Sequence, residues 1–505
     1  MNDLVACAID RGRCLAALSW YRLRPVGGGT RQPLLQAADS PADGQEEPGL
    51  RGHFMWRRQP HLTKSFCPEQ NPYMRSLVPD IIIRQMHDAH ALTLRLIEGL
   101  NDDQMMAGAG LATVNPLRWE IGHVAYFYEL WVLRRHLGHA PIRTDADTLY
   151  DSITIAHADR WDLPLPSVAE TRAYIEEVLD RVERALSQGA DTRRDYLAQY
   201  AVFHHDMHNE AYSYTRQTLN FPAPDLPGPA RPISANGTLT GDVDIPGGHF
   251  LLGASHDAGF VFDNEKWAHE VEIEPFRIAR AAVSHGDYAA FVDSGGYQQR
   301  RYWDDAGWAW REQSRLQQPR YWRRQGNGWQ VRRFDHWIAM PVDAAMIHVS
   351  WHEAQAYCRW ADRRLPTEAE WEVAAAGEPD ANGYGLSRHK RYFPWGDSEA
   401  GTDRANLDGC AGGTVGVGAH AAGDSAFGCR QMIGNVWEWT QDTFSPYPGF
   451  EPDMYQDYSQ PLFGITKVLR GGSWITRGRM IRNSWRNYYG PDRNDVFAGF
   501  RTCAL

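Results

Sequence analysis

From about residue 80 the chain places apolar side chains three and four apart, beginning with IIIRQMHDAHALTLRLIEGL. This predicts an amphipathic helix. A second helix opens at Asn115-Pro116, with Asn as N-cap and Pro at the first helical position, and stops at Gly138. Helical periodicity returns over 168–187 and again over 192–219. Four long amphipathic helices joined by loops predict a four-helix bundle. FPAPDLPGPARP then carries five prolines in twelve residues and reads as a linker. Past 240 the pattern changes to short strand-like runs (HFLLG, VEIEPFRIA, KVLRGGSW) with many glycines and most of the tryptophans. One helix stands out there, where Thr367 and Glu370 make a capping box ahead of an alanine-rich run. Before the bundle, Gly27-Gly28-Gly29 and AADSPADGQEEPG hold no sustained period. The expected division is a disordered extension over 1–73, a bundle over 74–222, a linker over 223–240 and an α+β domain over 241–505.

Composition narrows the function. With 52 basic and 63 acidic residues the net charge is −11, which argues against a polyanion binder. The nine arginines between 300 and 333 lie among Trp303, Trp308, Trp310, Trp322, Trp329 and Trp337. Acidic residues are interleaved with them, so core and loop packing is the better reading than single-stranded nucleic acid. No apolar run approaches the ~20 residues of a membrane span. MNDLVACAIDRGR lacks the form of a secretory signal, and the seven scattered cysteines contain no CxxC. A cytoplasmic enzyme acting on small molecules is expected, with neither nucleic acid nor membrane as partner.

The candidate chemistry is in the histidines. In FHHDMHNEAY, His204 and His208 are four apart and project from one helical face, a spacing that suits two imidazoles on one metal. His205 occupies the position where the zinc-protease motif HExxH needs Glu. His123, in the apolar and aromatic second helix, is the best third ligand. Asp206 and Glu210 each stand two residues from His208, about 200° around the helix, so neither shares its face. Three neutral imidazoles leave open positions that suit either a zinc-bound water or an oxygen-activating ferrous ion.

The second domain carries a resemblance. VSWHEAQAYCRWADRRLPTEAEWEVAA, FPWGD, GNVWEWT, VLRGGSW and FAGFR follow one another in the order found in the formylglycine-generating-enzyme-like fold, which is related to C-type lectins. In the formylglycine-generating enzymes a cysteine pair soon after RGGS binds copper. Here RGGSWITRGRMIRNSWRN has no cysteine, so copper chemistry is not expected. A DinB-like three-histidine bundle followed by this domain resembles the ergothioneine-type sulfoxide synthases, non-heme iron enzymes that join a chalcogen donor to the imidazole of hercynine using O2. That resemblance covers about 80–505. It implies Fe(2+) held by His123, His204 and His208. It also implies a substrate pocket with Asn487, Tyr488 and Arg493 from RNYYGPDR, and Tyr447 of SPYPGF as the proton-delivering tyrosine.

Departures from the family pattern bear on the donor. Family members that use γ-glutamylcysteine often carry an arginine-rich loop between bundle helices. This chain reads LYDSITIAHADRWDLPLPS, where Arg160 is flanked by Asp159, Trp161 and Asp162. Two aspartates would repel a dianionic dipeptide, whereas Trp161 and Asp162 suit a sugar. Met207 stands where some relatives place a Gln that contacts the substrate imidazole. These features resemble the selenoneine synthases, which implies hercynine, a selenosugar and O2 as substrates. A C–S-forming sulfoxide synthase and a zinc-dependent thiol transferase are the alternatives.

Overall fold

The computed structural model describes residues 78–226, 237–398 and 400–505. The expected extension over 1–73 lies outside the described residues, as does most of the Pro-rich linker. The bundle consists of α1 (Pro79–Ile97), α2 (Leu117–Tyr128), α3 (Val168–Leu186) and α4 (Thr192–Thr218). Each of α1 and α3 buries one stripe. In α1 it is Ile82, Met86, Ala89, Leu92 and Leu96, and in α3 it is Tyr174, Ile175, Val178, Leu179 and Val182. Burying each large apolar side chain contributes about 1.5–3 kcal/mol. The start of α3 is fixed by a capping box between Ser167 and Glu170.

Two helices depart from expectation. Asn115 does not cap α2, because its side chain donates to Glu120 (3.2 Å) and accepts from Arg160 (2.5 Å). Pro116 takes the cap position, and beyond Tyr128 the helix widens into a π-helical stretch, Glu129–His136. The 27-residue α4 is not amphipathic. It is buried almost all round from Leu197 to Gln217, since the bundle covers one side and the second domain the other.

Among its described residues the second domain holds two four-stranded sheets. One runs β1 (Asp242–Ile245), β4 (Phe276–Ala279), β13 (Cys503–Ala504), β8 (Arg363–Arg364), and the other β11 (Arg486–Tyr489), β10 (Lys467–Arg470), β9 (Trp437–Thr443), β12 (Ala498–Gly499). A hairpin, β2 (Gly248–Leu252) with β3 (His269–Ile273), and a meander of β5 (Trp322–Gln325), β6 (Gly328–Arg333) and β7 (His336–Ala339) complete it. One helix is expected here, and among the described residues there are four: α5 (His285–Asp293), α6 (Asp305–Ser314), α7 (Trp351–Trp360) and α8 (Glu368–Ala376). The additional three are only 9 or 10 residues long, too short for a 3.6-residue period to emerge from the aromatic background. Among the described residues no helix is long and apolar enough to cross a membrane.

The second domain packs on the side of α4 opposite the histidines. Trp437 of β9 donates its indole N–H to Glu210 of α4 (2.7 Å), and Gln217 near the end of α4 accepts from the backbone N–H of Phe334 (2.6 Å).

Candidate metal centre

His123 on α2 and His204 and His208 on α4 bring one nitrogen each to within 4.8 Å of one another. Among the described residues no other cluster of three or more His, Cys, Asp or Glu has this geometry. All three are buried. A small closing of the rotamers would bring that span to the separation set by metal–nitrogen bonds of ~2.0–2.1 Å.

The rings are held by their surroundings. His123 Nδ1 lies 2.8 Å from the Tyr150 carbonyl oxygen, so Nδ1 carries the proton and Nε2 presents its lone pair. Gly122 makes this contact possible, because a Cβ at that position would overlap the Tyr150 ring. His208 Nδ1 stands 3.3 Å from Glu120 Oε1, one helical turn before His123 on α2. Trp119 stacks on His123 (centroids 4.8 Å apart, planes at 9°) and Phe127 on His204 (3.9 Å, 14°).

The donor set fits a divalent transition metal. His123 Nε2 and both nitrogens of His204 are buried without a hydrogen-bond partner, a costly state for a core imidazole that metal binding would relieve at one nitrogen of each ring. Burial, with the neighbouring imidazoles, pushes His123 and His204 well below the ordinary histidine pKa and keeps them in the neutral, ligating form. His205 turns the other way, its Nε2 2.7 Å from Thr93 Oγ1. Asp206 and Glu210 also face away from the histidines, as their helical angle requires, and bind groups of the second domain.

Comparison with known proteins agrees with this architecture. Residues 85–212 match the DinB superfamily and 230–504 the sulfatase-modifying factor enzyme 1-like domain. A hercynine oxygenase of Mycolicibacterium thermoresistibile is 39% identical over 83% of this chain and 94% of its own. The chain belongs to the hercynine oxygenase family. A second member, the hercynine oxygenase of Mycobacterium tuberculosis, is 37% identical over 84% of this chain and 98% of its own. The second domain alone is similar to a formylglycine-generating enzyme of Streptomyces coelicolor (33% identical, 55% of this chain and 92% of that protein).

Within this family frame the remaining expected site residues are unevenly distributed. Arg160 is fully buried, its guanidinium 4.0 Å from the centre of the Trp119 ring that stacks on His123. Its neighbours point elsewhere. Trp161 is half-buried with its indole N–H toward the Ala107 carbonyl (3.4 Å), and Asp162 is exposed. The single 3-10 turn His157–Trp161 separates these directions, since three residues per turn cannot aim 160, 161 and 162 the same way.

On β11 the alternation of side chains decides the outcome. Arg486 and Tyr488 share the face that packs on Phe444, where the Tyr488 ring stacks at 4.1 Å and its hydroxyl donates to the Tyr458 carbonyl. Tyr488 therefore stands in a core of the second domain. Asn487 lies on the opposite face with Tyr489, and Tyr489 belongs to the core shared with the bundle. Arg493 pairs with Asp495 (2.7 Å), reaches the Thr113 carbonyl of the bundle (3.4 Å) and lies against Tyr214 and Tyr489.

Tyr447 is not with the histidines. Its hydroxyl donates to Glu368 (3.2 Å), the Arg486 guanidinium covers its ring at 3.9 Å, and it packs in the core that contains Trp371 and Ile278. Tyr455 lies beside the centre. Its ring lies 6.3 Å from His204 and 5.3 Å from Phe127, and its hydroxyl is 3.4 Å from Ser152 Oγ. Three residues on, Tyr458 donates to the Met207 sulfur (3.7 Å). Glu120, Tyr455 and Trp119 escaped the sequence reading. Trp119 and Glu120 left a signal there, the i, i+4 and i, i+3 spacings to His123, whereas Tyr455 left none.

Proposed function

We propose that this chain is an iron(II)- and O2-dependent oxidoreductase that joins the imidazole of hercynine to the selenium of a selenosugar, giving selenoneine. The wider class, oxygen-dependent modification of hercynine, is supported by relatives named hercynine oxygenases that align over nearly their full length and by three buried imidazoles brought together. A ferrous ion on His123, His204 and His208 would supply O2 activation and a common anchor for the chalcogen donor and the imidazole.

The chain's own residues supply the rest. Tyr150 and Glu120 orient His123 and His208, while Trp119 and Phe127 cover ring faces and keep water off them. Tyr455 is the phenol positioned to hold or deliver a proton at the open side, with Ser152 fixing its hydroxyl.

The loop at 157–162 carries the choice of donor. Its one cation, Arg160, is turned inward onto Trp119 and Asn115, and Asp159 and Asp162 remain exposed. A dianionic dipeptide would meet one guanidinium and two acids. A sugar would meet hydroxyl partners and aromatic faces without that repulsion. Trp161 and Asp162 remain the proposed selectors at the loop's outer side, with Asn487 and Arg493 on the second-domain side. In the second reading hercynine is joined through sulfur to γ-glutamylcysteine or cysteine.

A competition assay decides between them. Purified iron-loaded enzyme receives hercynine and O2 with selenosugar, thiosugar, cysteine and γ-glutamylcysteine together, and products are followed by mass. Dominant C–Se coupling to the sugar is expected. Dominant C–S coupling from γ-glutamylcysteine would overturn the selenium reading and leave a sulfoxide synthase.

A further inference from the structure

The back of the ligand helix is gripped by one short segment of the second domain. Asp206 lies between His204 and His208 in sequence, Glu210 two residues beyond, and both carboxylates are buried at 3% and 9% exposure. Arg479 donates to Asp206 through two nitrogens, each at 2.7 Å, and with Nη1 to Asp88 of α1 at 2.6 Å. Glu210 accepts from the Ser473 hydroxyl (3.0 Å), the Thr476 hydroxyl (2.7 Å) and the Trp437 indole (2.7 Å). The segment 473–479 leaves β10 through Gly471 and Gly472, both at positive φ (96° and 86°). A Cβ at 471 would press on the Met432 carbonyl oxygen. The turn therefore delivers Ser473, Thr476 and Arg479 to one side of α4.

Apolar residues would bury the back of α4 without the cost of taking two carboxylates out of water. What the carboxylates add is direction. A bidentate guanidinium–carboxylate pair and three converging donors fix the helix in rotation and in axial position, which apolar packing does only loosely. The ligands on the opposite face are sensitive to that rotation. A side-chain nitrogen stands roughly 6 Å from the helix axis, so a turn of about 10° moves it by about 1 Å, against a tolerance of ~0.2 Å for metal–ligand distances.

We propose that Ser473, Thr476 and Arg479 form a clamp that sets the rotation of α4, so that docking of the second domain tunes the metal affinity of His204 and His208. These are positioning residues, acting through the helix without touching the metal. The inference rests on the three-histidine reading of the metal centre and is independent of which chalcogen donor is used.

The test uses the full chain with Co(2+) as the probe metal, reading its dissociation constant, its visible d–d absorption and hydrogen exchange of amides 200–212 in the metal-free state. Arg479→Gln is expected to weaken Co(2+) binding by roughly ten- to a hundredfold, shift the d–d bands and speed exchange in that stretch, with Arg479→Lys recovering part of each. Arg363→Gln breaks a bidentate pair with Asp242 in the other sheet and serves as the stability control. It should lower the melting temperature and leave Co(2+) binding as in the parent. Unchanged Co(2+) affinity and spectrum in Arg479→Gln would overturn the clamp and leave an ordinary ion pair. If that variant does not fold, Thr476→Val removes one donor to Glu210 at equal volume, and it must weaken Co(2+) severalfold or the proposal fails. If the parent and its His204→Ala variant bind Co(2+) alike, the three-histidine centre itself is refuted, and the clamp with it.

Discussion

Glu120 Oε1 stands 3.3 Å from His208 Nδ1, with both side chains buried. A carboxylate behind a ligating imidazole fixes its orientation and raises its basicity. Glu120→Gln, which keeps the shape and removes the charge, should therefore weaken metal binding by about ten- to a hundredfold while leaving the helical circular-dichroism signal unchanged. His204→Ala, by contrast, removes a ligand and should abolish metal retention altogether. Metal titration of the two variants separates these outcomes, and a Glu120→Gln protein with parental affinity would show that the contact does not tune the centre.

Gly122 provides the second test. Its missing side chain lets the Tyr150 ring lie against α2, and the Tyr150 carbonyl then meets His123 Nδ1 at 2.8 Å. Gly122→Ala adds one methyl into that contact. Overpacking of this kind costs about 1–3 kcal/mol. Denaturation of the metal-free variant should show a loss in that range, accompanied by weaker metal binding because His123 loses its tautomer-fixing acceptor. Full affinity with lowered stability would mean that Tyr150 supports packing alone.

The bundle could be read from the chain because the helical period of α1 and α3 is strong, even though Asn115 does not cap α2 and α4 is buried almost all round. Ser167 with Glu170 and the i, i+4 pair His204–His208 are local signals that tertiary packing did not override. The second domain conceals its short helices, although Ser284 with Asp287 and Ser350 with Glu353 make the same kind of capping box. Tyr447 lies beside a family motif but packs in the second-domain core, whereas Tyr455 reaches His204 from a segment with no period to mark it. For Tyr488, strand alternation was the available signal. Once 486–489 is a strand, Asn487 and Tyr488 cannot both face the bundle.

Two histidines outside the centre set an acid limit on stability. His285 and His348 are buried, with Nδ1 3.2 Å and 3.1 Å from the carbonyls of Ala344 and Asp495. Burial pushes them down to about 4 and about 3. A base whose pKa is lower in the folded than in the unfolded chain takes up protons on unfolding as pH falls below ~6.5. Its stability contribution is thus complete above ~6.5 and is lost toward the folded value. Each histidine should contribute a slope of about 1.4 kcal/mol per pH unit between roughly pH 6 and 4. Chemical denaturation with a chelator present measures the slope without metal. His348→Asn tolerates the left-handed backbone there (φ 63°) and should remove one histidine's share. A slope equal to the parent's would assign the acid sensitivity to other groups.

The two tyrosines offer the sharpest comparison. Tyr447 spends its hydroxyl on Glu368 within the ion pairs of Arg470 and Arg486, so Tyr447→Phe should cost about 1–2 kcal/mol of stability and leave turnover near the parental rate. Tyr455 lies against Phe127 and His204 with its hydroxyl near Ser152, and burial pushes its pKa up to about 12, so it remains a protonated phenol at neutral pH. Tyr455→Phe keeps the ring and removes the proton. Loss of a positioned general acid costs about 10²–10⁴ in rate, and the loss should appear in kcat with little change in KM for hercynine. Single-turnover kinetics on both variants, with melting temperatures alongside, tests the assignment. If Tyr447→Phe is slowed and Tyr455→Phe is not, proton delivery must travel through the Glu368 network and the reading of this site would have to be reversed.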